Sequence, residues 1–146
     1  MKIVSKFCFV TIALFLMASC TTGPKSIDYG NDGCHSCKMT IIDKIHGAEL
    51  ITDKGKVFKF DATECMLNYI MANEELSARS LLTNYYETPT ALIPTKEATF
   101  LISEKMPSPM GANLTAFKTK ESAVKMQIEK GGELYTWETL KNHLER

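Results

Sequence analysis

The sequence has no apolar run long enough to cross a bilayer. Its apolar stretch, Phe7–Ala18, covers 12 positions and is interrupted by Thr11, against the roughly 20 residues that a spanning helix needs. It has no surplus of either charge, with 17 basic and 17 acidic side chains. No basic stripe interleaved with aromatics is present, which argues against a nucleic-acid partner. There is no Ser/His/Asp set, no pair of acids in a shared motif and no phosphate-binding glycine loop, so the sequence offers no catalytic constellation. Nor is there a second paired Cys or His motif to complete a structural zinc site.

What the N-terminus does contain reads as an export signal. Lys2 and Lys6 precede the short apolar run, and Leu16-Met17-Ala18-Ser19-Cys20 closes it with small residues leading to a cysteine. That ending resembles a bacterial lipobox, which implies lipidation at Cys20 and an anchor in the cell envelope, facing the periplasm. Residues 1–19 are then a lipoprotein signal peptide and 20–30 a tether that includes Thr21-Thr22-Gly23-Pro24-Lys25-Ser26. The remaining 127 residues suffice for one compact domain or two very small units.

Cysteine usage sharpens under this processing. Cys8 leaves with the signal and Cys20 carries lipid, so Cys34, Cys37 and Cys65 remain in the mature chain. An odd number cannot all pair within one molecule. Outside the cytosol, a CxxC oxidises unless something occupies or protects it.

The mature chain reads as two similar ββαβ units, an α+β fold. Residues 48–52 and 56–60 flank Asp53-Lys54-Gly55 as a hairpin. A helix follows over 63–73, capped by Asp61 or Thr63, with Met66, Leu67, Ile70 and Met71 along one face. A third strand covers 80–86. The second half repeats the plan with strands at 98–103, 114–119 and 133–137, a helix at 120–130 and a closing helical segment at 138–144. A shift of 57 places Phe60 on Phe117, Glu64 on Glu121 and Leu67 on Val124. The expected units are 31–95 and 96–146, and neither alone can bury much core.

The stretch Cys34-His35-Ser36-Cys37-Lys38-Met39 admits four readings. A thioredoxin-like redox centre needs a helix to start at the motif, whereas Thr40-Ile41-Ile42-Asp43 looks extended. Zinc wants four ligands, and only Cys65, His46 and His143 are on offer, at irregular spacing. A plain Cys34–Cys37 disulfide closes a very small loop and leaves Met39 without a role. The fourth reading is a Cu(I) site, because thiolate and thioether are both soft donors. In extended backbone, Cys37 and Met39 at i and i+2 lie on one face. A third soft donor would come from Pro107-Ser108-Pro109-Met110-Gly111, where Met110 could equally be a buried gap-filler.

The other candidates have plainer readings beside these. Cys65 is a small core residue or a thiol near the metal. His35 is a polar loop residue or an accessory ligand. His46 and His143 are expected at the solvated surface, and Tyr85, Tyr86 and Trp137 in core strands.

The order of these motifs resembles the NosL family. The matching residues are Cys20, Cys34-His35-Ser36-Cys37-Lys38-Met39, Gly47-Ala48-Glu49-Leu50-Ile51, Gly55 with Phe60-Asp61, Cys65-Met66 with Tyr69, Pro109-Met110-Gly111, and Gly131-Gly132 with Thr136-Trp137. The resemblance implies a periplasmic lipoprotein that chaperones Cu(I) to nitrous oxide reductase and works with an ABC-type membrane complex. It implies two ββαβ units related to part of organomercurial lyase. It also implies Cys37, Met39 and Met110 as metal ligands, with Cys34 an accessory thiol. Such a protein is not an enzyme. The rivals from other classes are a periplasmic thiol–disulfide oxidoreductase using Cys34 and Cys37, and a structural interaction lipoprotein.

Overall fold

The computed structural model describes residues 23–144. The signal peptide and Cys20 lie outside that range. Strands β1 (Ala48–Thr52) and β2 (Val57–Phe60) form the first hairpin, followed by helix α1 (Thr63–Met71), β3 (Ala78–Tyr85) and β4 (Thr88–Pro94). After a 3₁₀ turn at Thr95–Glu97 come β5 (Thr99–Ile102), β6 (Leu114–Phe117), α2 (Lys120–Lys130), β7 (Glu133–Tyr135) and α3 (Trp137–Leu144).

The internal repeat is visible in the strand order. One antiparallel sheet runs β2-β1-β3-β4 and the other β6-β5-β7, so the first strand of each ββαβ unit is central in both. Val57 and Leu114, which open β2 and β6, are 57 residues apart, as are Thr63 and Lys120, which open α1 and α2. The first strands fall out of that offset because the second hairpin is longer. Residues 103–113 join β5 to β6, where only 53–56 join β1 to β2. That longer connection carries the Pro107–Gly111 stretch.

Strand β4 was not expected. Pro89 and Pro94 argue against a strand read from sequence, yet an edge position tolerates proline because its outer N–H is not needed. β4 occupies that edge, pairing with β3 alone, with Leu82 opposite Pro94 and a register shift at Asn84/Tyr85. The last predicted strand also ends early. Trp137 starts α3, buried at its first turn.

The two units share one core. Ile41, Leu50, Phe60 and Met66 from the first pack in the same cluster as Phe100, Leu114, Trp137 and Leu140 from the second. The Tyr86 N–H donates to Ala116 O at 2.9 Å, tying the end of the first sheet to β6. Phe60 and Phe100 are fully buried. Phe60→Ala should therefore cost about 3–5 kcal/mol, a large part of a small domain's stability. A urea melt should show a lower midpoint at unchanged slope.

Strand β1 is buried along its whole length, and that includes Glu49. Burial raises the Glu49 carboxyl pKa from its ordinary value of 4.5, opposed by a hydrogen bond from the Lys25 N–H (3.3 Å) and by the charge of Lys59. The folded state thus holds this proton more tightly than the unfolded chain. The contribution of Glu49 to stability should be greatest below the ordinary carboxyl range and fall as pH rises through the raised value. Glu49→Gln should remove that part of the fall and leave the part that Glu64 contributes, as thermal melts across pH would record.

Candidate metal centre

The loop before β1 is shaped by backbone hydrogen bonds rather than by a regular element. Cys34 N donates to Met39 O at 2.7 Å, Lys38 N to Cys34 O at 3.0 Å, and a bridge pairs Gly33 with Thr40. His35 N donates to Lys59 O at 2.7 Å, pinning the loop to β2. Residues 34–39 therefore form a tight turn, and Lys38 sits in the left-handed region at φ 68°. The extended Cys37–Met39 geometry expected from sequence is overturned by this turn. The turn instead sorts the side chains by depth. Cys34 is buried, Cys37 is half-buried, and Met39 is 48% exposed.

Helix α1 supplies the opposing wall. Its N-cap is Ala62, and no side chain caps it. The expectation that Asp61 or Thr63 would do so fails because both are engaged elsewhere. Thr63 Oγ1 bonds Thr83 Oγ1 at 2.7 Å. Asp61 Oδ2 accepts from the Cys37 thiol at 3.5 Å, while its Oδ1 is buried with no hydrogen-bond partner among the described residues. Within the first turn of the helix lies Cys65, also buried. The ligand atoms of Cys34, Cys37, Asp61 and Cys65 all lie within 4.8 Å of one another.

The three thiols are unlinked and electrostatically unequal. Cys34 is drawn down to about 6, chiefly because Cys65 donates its S–H to it, helped by backbone N–H groups of Asp61 and Cys37 and opposed by burial. Cys65 is pushed up as the donor in that pair, with burial adding to the effect. Burial raises Cys37 as well, and the neighbouring Cys34 and Asp61 charges reinforce it. The cluster thus favours the thiolate on Cys34 over the other two sulfurs. A bound soft cation would displace the remaining thiol protons.

A cleft of about 640 Å³ opens beside this cluster, lined by Met39, Thr40, Ile42, Asp43, Asp61 and the loop residues 107–109. The loop is held by Ser108, whose hydroxyl donates to Glu64 Oε1 and accepts from Leu114 N at 3.3 Å. Burial raises the Glu64 carboxyl, against the Ser108 hydrogen bond. A turn closed by Gly111 N donating to Ser108 O (3.0 Å) carries Met110, 39% exposed and the neighbour of the lining residue Pro109. Met39, the loop that leads into Met110, and Asp61, the hydrogen-bond partner of Cys37, therefore line one opening.

The histidines take no part in this cluster. His35 lies 4.3 Å from the Phe58 ring and 5.0 Å edge-on from Tyr69. Burial lowers its pKa, with Lys38 and Lys56 adding to the effect. His46 is not at the surface as expected. It is 5% exposed, with Nδ1 3.0 Å from Asp43 Oδ1 and Nε2 3.2 Å from Thr115 Oγ1, and so it bridges the two units. His143 is exposed beside Tyr135. Asp61, Glu64 and Ser108 were not singled out from sequence. Read locally, Asp61 is an N-cap residue and the other two are ordinary polar positions.

Comparison with known proteins gives one family. The family model NosL matches residues 24–144. Among solved structures, the copper chaperone NosL from Shewanella denitrificans superposes with a TM-score of 0.70 at 22% identity, covering 82% of this chain and 96% of that one. By sequence, no curated protein matches.

Proposed function

The chain belongs to the NosL family, and from that premise we propose that it is a copper-binding chaperone, carrying Cu(I) as cargo and passing it on by ligand exchange. The reading rests above all on one arrangement: a cleft lined by Met39, by the loop that leads into Met110 and by Asp61, which accepts a hydrogen bond from Cys37. One thiolate and two thioethers make a soft, three-coordinate set, which suits Cu(I). A single thiolate also cancels the charge of a monovalent ion, and thioethers add none. Such a site is partly open, so an acceptor's sulfur can enter before the donor's leaves.

The exposure of Met39 and Met110 serves that exchange. A fully enclosed ion would have to wait for the fold to open, whereas rim ligands release it to a docked protein. We place the chain at the cell envelope, lipid-anchored through Cys20 and facing the periplasm. There it would supply nitrous oxide reductase together with an ABC-type membrane complex. The solved relative is itself described as a copper chaperone. The oxidoreductase rival fits less well, because Cys34, the thiolate of the CxxC, is buried and no helix starts at Cys37.

Anaerobic titration of the reduced chain with Cu(I) against a competing chelator tests the reading. One tightly held ion per chain is expected. Failure to compete for Cu(I) would remove the chaperone role.

A further inference from the structure

Met110 lies in the second unit, between β5 and β6, whereas Cys37 and Met39 precede the first strand of the first unit. For the three to serve one ion, the loop at 103–113 must be held in register with the first unit. A loop left free would be ordered anew at each binding event, and that cost subtracts from affinity. Much of the loop's shape is internal. Ser103 N donates to Asn113 O at 3.0 Å, and Met106 N to Ser103 O at 2.9 Å. Pro107 and Pro109 restrict the backbone on either side of Ser108. Gly111 (φ 80°) and Asn113 (φ 56°) take left-handed conformations that turn the chain back into β6.

Attachment to the first unit runs through a side chain. The Ser108 hydroxyl donates to Glu64 Oε1, in the first turn of α1, and accepts from Leu114 N at 3.3 Å, at the start of β6. Both partners are buried, Ser108 at 8% and Glu64 at 3% exposure. Asp61, just before the same helix, accepts from the Cys37 thiol at 3.5 Å. The chain at 61–64 therefore touches the thiol through one carboxylate and the methionine loop through another. Glu64 is not among the donor atoms gathered at the thiols, so its reach to the site goes through Ser108. Packing alone does not call for a glutamate here. Glu64 Oε2 is buried with no hydrogen-bond partner among the described residues, which costs stability. An apolar side chain would fill the place without that cost, and local rules broken in this way point to function.

Resting on the copper reading above, we propose that Glu64 and Ser108 are positioning residues. Their hydrogen bond latches the Met110 loop to the helix beside Cys37, and so sets how much of its affinity the site draws from Met110. Two consequences separate a latch from ordinary packing. Its loss can cost no more copper affinity than loss of the ligand it holds. Once Met110 is gone, it has nothing left to hold.

A double-mutant cycle read by Cu(I) competition on the reduced chain tests this. Ser108→Ala should weaken Cu(I) binding about tenfold, the loss expected of Met110→Ala and the low end of what losing an outer partner costs. In a Met110→Ala background the same change should move affinity by less than about twofold, the margin within which independent effects add. Glu64→Leu should match Ser108→Ala, and Glu64→Gln, which keeps an acceptor oxygen at the same reach, should recover most of that loss. The Glu64 pair carries the decision if Ser108→Ala fails to fold. Equal losses from Ser108→Ala with and without Met110 would show a general loosening of the site and overturn the latch, as would no loss in either. A parent that holds Cu(I) equally well after Met110→Ala would also overturn it, while leaving copper binding itself intact. A parent that does not hold Cu(I) would overturn both readings.

Discussion

Cys37→Ser is expected to abolish tight Cu(I) binding while leaving the fold intact. Cys37 supplies the one thiolate among three donors, and a serine hydroxyl is a hard, neutral donor with little affinity for a soft ion. Loss of a direct ligand should exceed the 10–100-fold typical of losing an outer partner, so a drop on the order of a hundredfold or more is expected in chelator competition. The side chain is half-buried, with its thiol donating to Asp61. A serine hydroxyl can keep that hydrogen bond, so melting should change little. Binding equal to that of the parent would mean that the copper sits elsewhere.

The second large effect is expected from Met39→Ala combined with Met110→Ala. Each single change leaves Cu(I) two donors, which it accepts, and should weaken binding about tenfold. The double change leaves only Cys37 of the set and should approach the Cys37→Ser result. Neither methionine is a core residue, with 48% and 39% of their surfaces exposed. The usual cost of truncating a buried methionine, about 2–5 kcal/mol, therefore should not appear in urea melts. Weakened copper binding at unchanged stability is the signature of ligands rather than of packing.

Much of the fold was legible because its signals are local. Thr119 caps α2 by accepting from Ser122 N at 3.1 Å, and that helix spans the predicted residues 120–130. The repeat was legible because a helix and its preceding strand kept their spacing through the longer second hairpin. What was hidden depends on contacts remote in sequence. β4 is an edge strand whose prolines mask it. His46 is buried because Thr115, 69 residues away, receives it. Lys38 takes a left-handed backbone that no lysine announces, and so the simple alternation argument for Cys37 and Met39 fails.

The site divides along the same line. Cys34, Cys37, Met39 and Met110 stand out by chemistry alone, since soft donors near one another are uncommon. Asp61 does not stand out, because an aspartate before a helix reads as a cap. Only the folded chain shows that Ala62 occupies the cap position and leaves the Asp61 carboxylate facing the thiols.

The most direct test is X-ray absorption at the copper edge on the Cu(I)-loaded chain with its methionines replaced by selenomethionine. The account predicts selenium as well as sulfur in the first shell, with the selenium lost in the Met39→Ala/Met110→Ala variant. A shell of sulfur alone in the unmodified sequence would put the copper among Cys34, Cys37 and Cys65 and contradict it.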